Sequence, residues 1–110
     1  MTGVEEISYA LLREGVDDWW PIDVLLWHAR EASPDPADSF KEVAVSVLGF
    51  LLSQDLATVG EIGESGFEPW STSFDETMET VVSKCESVNW EPFGGLCWIS
   101  NTAKGNRYIQ

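Results

Sequence analysis

The sequence predicts a single α+β domain in which three N-terminal helices lead into a short β-hairpin that carries an inserted fourth helix. Three observations predict it. Apolar residues recur at helical spacing in four separate stretches, whereas residues 56–62 and 96–99 are β-leaning. The 110 residues suit one domain, because halves of about 55 residues would each have a marginal core. Hydrophobic residues make up 44% of the chain and include six Trp and five Phe, more aromatic surface than a disordered chain leaves in water.

The elements follow in order. Thr2-Gly3-Val4-Glu5 reads as a capping box, and Val4, Ile7, Leu11 and Leu12 continue it as a helix over residues 3–14 that a left-handed Gly15 can end. Pro21 fits a first helical turn, since its missing N–H has no partner there, so a second helix is expected over residues 21–31. Its inner face is Ile22, Leu25, Leu26 and Ala29, with Trp27, His28 and Arg30 toward the edges or solvent. Ser33-Pro34-Asp35-Pro36 breaks the helix, because each proline drives the preceding residue out of helical conformation. A third helix over residues 37–54, starting at Asp38 or Ser39, has Phe40, Val43, Ala44, Val47, Leu48 and Leu51 as one stripe and is apolar enough elsewhere to form the core.

Leu56 to Ile62 is expected to be a strand and the glycine-punctuated segment after it a loop. Ser73-Phe74-Asp75-Glu76 is a second capping box and opens a helix over residues 74–88, with Met78, Val81, Val82, Cys85 and Val88 at helical spacing. Pro92, Gly94 and Gly95 form a loop before a returning strand at Leu96 to Ile99. This order suggests a winged-helix-like domain whose wing holds the insertion. Its core is expected at Leu25, Val47, Leu48, Leu51, Val81, Val82 and Trp98, with Trp70 also inward.

Nineteen Asp and Glu against six Lys and Arg give a net charge of −13, a field that repels phosphate backbones and anionic lipid and attracts basic proteins. Nucleic acid and membranes are therefore poor partners. The third helix has Lys41 as its sole base beside Asp38, Glu42 and Asp55, so it lacks the phosphate contacts that supply most DNA affinity. The longest uncharged run, Val43 to Gln54, is far short of the roughly 20 apolar residues that span a bilayer. With no basic region and apolar run after Met1, a cytoplasmic protein is expected. Cys85 and Cys97 lie outside any C-x-x-C motif. Buried free thiols are the reading for a reducing compartment, and a disulfide between them stays open.

Signatures of catalysis are thin. His28 is the sole histidine; it could activate Cys85 or Cys97 as a nucleophile, but a lone histidine on an amphipathic helix reads as an edge residue. No enzyme and no catalytic residue are expected. One His and two separated Cys make no zinc set, and the acids lack a calcium-loop order. Gly60, Gly63 and Gly66 lack the Gly-Lys-Ser/Thr of a phosphate loop, and Glu61 and Glu64 would repel phosphate. No metal and no cofactor are implied.

Trp19 and Trp20 cannot both point inward from one short loop, which puts one at the surface beside Asp17 and Asp18. A partner-binding surface of Asp17, Asp18, Trp19 and Trp20, with Glu61, Glu64 and Glu68 from the wing loop, combines carboxylates that steer a basic protein with an aromatic anchor that holds it. The chain itself is expected to be a monomer or homodimer.

Leu51-Leu52-Ser53-Gln54-Asp55-Leu56, Gly60-Glu61-Ile62, Gly66-Phe67-Glu68-Pro69-Trp70 and Trp98-Ile99-Ser100-Asn101-Thr102-Ala103-Lys104-Gly105 resemble a loose family of small acidic bacterial proteins. In that family a helix ends in Leu-Leu-x-x-Gly-Leu and a late strand ends in Thr-x-x-Gly, as in winged-helix domains; Asp55 stands where the pattern has glycine. The resemblance spans residues 40–107 and implies the fold and no catalytic residue. A broader likeness, in size and acidity alone, is to immunity proteins that neutralise basic bacterial toxins such as nucleases. The other function the order of elements implies is a winged-helix domain of a transcriptional regulator, acting through protein contacts or as a dimer.

Overall fold

The computed structural model describes residues 2–33 and 39–110. In chain order they form α1 (Thr2–Glu14), β1 (Trp20–Pro21), α2 (Ile22–Ala32), α3 (Ser39–Ser53), β2 (Ala57–Gly63), β3 (Gly66–Pro69), α4 (Phe74–Ser87), β4 (Trp98–Asn101) and α5 (Ala103–Tyr108). The strands make one antiparallel sheet in the order β1-β4-β2-β3. Helices α1, α2 and α3 pack on one another, and α4 packs on α3. The core joins Leu11, Leu12, Leu25, Leu26, Val47 and Leu51 of these helices to Val59 and Ile99 of the sheet and Val81 of α4.

The Thr2 side chain and residues 34–38 lie outside the described residues, and with them the first capping box, the two breaker prolines and Asp38. Gly15 follows α1 as expected, its N–H donating to the Leu11 and Leu12 carbonyls at 3.1 and 3.2 Å. It is not left-handed, however, since the positive-φ glycines among the described residues are Gly66, Gly94 and Gly95. Space is what it supplies: a Cβ there would stand 2.6 Å from the Trp20 indole and 2.7 Å from Asn101 Oδ1. Pro21 also differs from expectation. It is extended (φ −77°, ψ 158°) and paired in β1, so α2 begins one residue later, where the Ile22 N–H donates to the Cys97 carbonyl at 3.2 Å.

The end of α3 explains the first resemblance motif. Leu56 N–H donates to the Leu51 carbonyl at 2.8 Å and Asp55 N–H to the Leu52 carbonyl at 3.1 Å, a Schellman closure that requires a left-handed residue at Asp55. Asp55 takes it at φ 58°, which a short polar side chain tolerates better than most. Beyond β2 the expected loop is a hairpin: β3 pairs back with Gly63↔Gly66, Ile62↔Phe67, Glu61↔Glu68 and Gly60↔Pro69. β4 starts at Trp98 rather than Leu96 and pairs with β2 from Ala57↔Asn101 to Gly60↔Trp98.

The capping box of α4 forms as the sequence predicts, with Ser73 Oγ accepting from the Glu76 N–H at 3.2 Å and Glu76 Oε1 accepting from the Ser73 N–H at 3.1 Å. These bonds hold the Glu76 carboxyl below its ordinary pKa, the backbone N–H of Ser73 contributing most. The helix closes through Asn89 and Trp90, both at positive φ (54° and 59°), and Trp90 turns into the core edge-on to Phe40. Arg30 lies half-buried at the edge of α2, as its place there suggested: its guanidinium lies 4.2 Å from the Phe40 ring centre and donates to the Trp90 carbonyl.

The final helix, α5, has no counterpart in the predicted elements. Thr102 caps it, accepting from the Gly105 N–H at 2.9 Å while donating to the Asp55 carbonyl at 2.6 Å. Gly105 sits so tightly on the backbone of Leu56 that a Cβ would fall 2.0 Å from that carbonyl oxygen. Thr-x-x-Gly is therefore the clasp between α5 and the α3–β2 turn. Of the expected core, Leu25, Val47, Leu48, Leu51 and Val81 are buried. Val82, Trp98 and Trp70 are partly buried; Trp98 precedes the buried Ile99 in β4 and so points to the opposite face of the sheet.

Candidate protein-binding surface

Between α1 and β1, residues 15–19 cross the end of the sheet beside β4 and α5. Asn101 organises this corner. Its Nδ2 donates to the Leu12 carbonyl at 2.7 Å and to Asn106 Oδ1 at 2.9 Å, tying α1, β4 and α5 together. Asp18 Oδ1 accepts from the Trp19 N–H at 2.8 Å, which orders the chain just before β1. Gly15 to Trp19, Ser100, Asn101 and Asn106 line an open cleft of about 340 Å³, polar apart from Val16 and the indole. Asp17 and Asp18 are both exposed on it.

The two tryptophans divide as their adjacency requires. Trp20 is 4% exposed and belongs to the core, so it supports the loop from beneath and is withdrawn from the contact surface. Trp19 is 40% exposed and lies against the hairpin, its ring centre 6.1 Å from that of Phe67 and its edge over Gly66. The loop and the β2–β3 hairpin, distant in sequence, thus meet through one indole.

The acids of the hairpin do not all follow. Glu61 and Glu68 are cross-strand partners on one face of the hairpin, and alternation puts Ile62 and Phe67 on the other. Glu61 Oε2 accepts from Trp70 Nε1 at 3.1 Å. Glu64 stands in the turn between Gly63 and Gly66. Trp19, Phe67 and the exposed Ile62 therefore form an apolar patch with Asp17 and Asp18 beside it and Glu64 in the adjoining turn, while Glu61 and Glu68 face away. Neither Phe67 nor Ile62 was singled out in the sequence, because Ile62 reads as the end of a strand and Phe67 as part of the loop after it; the Ile-x-x-x-x-Phe spacing around a glycine-bounded turn is the hairpin signal that could have paired them.

The nucleophile arrangement has no geometry to support it. His28 Nε2 is 2.7 Å from Glu14 Oε2, and its ring stands edge-on to Trp27. Cys85 and Cys97 are both free and buried. Burial, reinforced by Asp23 and Glu86, pushes the Cys85 thiol up to about 11. Burial, reinforced by Cys85, pushes that of Cys97 to about 12, with Lys84 opposing. Both stay as S–H at neutral pH, whereas attack requires the thiolate. Among the described residues no group of three or more His, Cys, Asp and Glu side chains could hold a metal ion. Among them, too, no helix is long and apolar enough to cross a membrane. In comparisons with known proteins, no family model, no curated protein and no solved structure matches the chain.

Proposed function

We propose that the protein is an acidic protein-binding module, most specifically an immunity protein that covers the active surface of a basic toxin such as a nuclease. The observation that carries this reading is Trp19, an exposed indole seated on the hairpin beside Asp17 and Asp18. An aromatic anchor holds a complex while surrounding carboxylates steer a cationic partner to it. The chain's net charge of −13 extends that field over the whole molecule. Co-purification with the product of the neighbouring gene tests the function. Charge reversal at Asp17 and Asp18 is expected to weaken the complex and make it less salt-sensitive, with reversal at Glu64 acting in the same direction and reversal at Glu61 acting less. Absence of any co-purifying toxin rejects the function, and unchanged affinity in the Asp17/Asp18 variant rejects the surface.

One observation favours a second reading, the winged-helix domain of a regulator. Helix, strand, two helices and two further strands, with β4 paired between β1 and β2, is an order compatible with a winged helix once β3 and α4 are set aside as an insertion, and this supports the reading. Two features oppose DNA contact by that arrangement. The helix that would enter the groove, α3, carries Lys41 and Glu42 among its exposed or half-exposed positions, and the inserted α4 packs against it. Fluorescence anisotropy with duplex DNA is expected to show no binding at physiological salt. Specific sub-micromolar binding (Kd below about 1 μM) would reverse the order of the two readings.

A further inference from the structure

A second exposed aromatic surface lies on α2. Trp27 is 58% exposed, and Phe93, in the loop between α4 and β4, is fully exposed at 101%. Asp23 joins them: it precedes Trp27 by one helical turn, and its Oδ2 accepts from the Gly94 N–H at 2.9 Å, which pins the Phe93 loop against the start of α2. An open cleft of about 400 Å³ on this edge is lined by Glu14, Asp23, Val24, Trp27 and His28. The other oxygen of Asp23, Oδ1, is shielded from water and has no hydrogen-bond partner. The carboxylate of the cleft that a cation can reach is that of Glu14, whose side chain is 52% exposed and lies 2.7 Å from His28 Nε2.

We infer that this edge receives an arginine-bearing segment of a basic protein, with a guanidinium stacked on Trp27 facing the carboxylate of Glu14 and an apolar side chain resting on Phe93. Charge decides the occupant. A second copy of the chain would bring another −13 to the contact, whereas a cationic segment is attracted by it. Arginine fits better than lysine because its planar, weakly hydrated head stacks on an indole and can hydrogen-bond carboxylates in the same plane. The inference rests on the proposed basic partner and adds a second place where that partner is gripped.

The probe is a hexa-arginine peptide, titrated into the full chain at physiological salt with amide and indole N–H chemical shifts recorded. Shifts are expected to centre on Asp23, Trp27 and Gly94, with hexa-lysine binding several-fold more weakly. Trp27→Ala and Phe93→Ala are each expected to raise Kd about fivefold or more, and Trp27→Phe to restore part of the loss. Both side chains stand in solvent, so the variants should keep the native circular dichroism spectrum. Shifts centred instead on Trp19 and the hairpin, with both alanine variants within about twofold of the parent, overturn this surface and leave the basic-partner reading in place. Absence of saturable peptide binding also overturns the surface, while co-purification with the neighbouring gene product decides the function independently.

Discussion

Asp55 and Gly105 show how single residues set the chain's path. Asp55 occupies a left-handed position at φ 58° where glycine has no steric penalty. Asp55→Gly should raise the free energy of unfolding by about 0.5–1 kcal/mol, measured by urea denaturation, because the Schellman bonds and the Thr102 contact are to backbone atoms and survive. Gly105→Ala should lower it by about 2 kcal/mol or more, since a methyl group cannot share the space of the Leu56 carbonyl. An alanine variant as stable as the parent would show that α5 can lift away from that turn at no cost. The thiols give a separate test at this scale. Cys85 and Cys97 are raised to about 11 and about 12 and buried, so Ellman's reagent at neutral pH should leave both unmodified in the folded protein and label both in denaturant.

Among the elements, the β2–β3 hairpin and the α4 cap are both governed by glutamates, with opposite effect. Glu61 and Glu68 face each other across the ladder, and like charges so placed repel. Glu68→Lys should stabilise the protein by about 0.5 kcal/mol, a gain that shrinks in high salt; equal stability at low salt would mean the pair is already relaxed by solvent. Glu76 works in favour of the fold. Its pKa is lowered from 4.5, so its share of the cap is fully present above that value and is lost as the pH falls through the lower folded one. The stability difference between the parent and Glu76→Ala should therefore narrow below pH 4.5, which acid-dependent thermal unfolding measures directly. What was legible in the sequence follows from element length. The four long helices repeat an apolar face often enough to be read, and the cap of α4 is written in adjacent residues. β1 has two residues and α5 six, too few for a period to show, and β3 consists of Gly-Phe-Glu-Pro, which reads as turn chemistry. The division of Trp19 from Trp20 could be deduced locally, whereas the seat of Trp19 on Phe67 depends on the return of the hairpin. Phe93 lay hidden in a loop for the same reason, because nothing local shows what Gly94 will bind.

For the whole molecule, the governing quantity is charge density. A net charge of −13 is confined to a body with a radius of gyration of 12.9 Å. Folding brings these carboxylates closer than the expanded chain does, so the native state carries self-repulsion that salt relieves. The melting temperature at neutral pH should rise as sodium chloride is raised from low to physiological concentration. A flat response would mean that the acids are spaced beyond mutual reach and that their field is too weak to steer a partner. The same titration supplies the reference for any complex, because salt should strengthen the free fold while it slows association.

One of the two inner strands of the sheet, β4, is also the one made last: β1 and β2 have no common neighbour until Trp98 to Asn101 are in place. On a ribosome α1 to α4 emerge before β4, and β1 must wait for a partner 77 to 79 positions further along, from Trp98 opposite Pro21 to Ile99 opposite Trp20. Such distant pairings pay loop-closure entropy before they return any contact energy, so native structure should be acquired late and in one step. Until then the β2–β3 ribbon presents an unpaired edge. The acidic character of the chain, whatever it does for a partner, would keep nascent copies from joining along that edge.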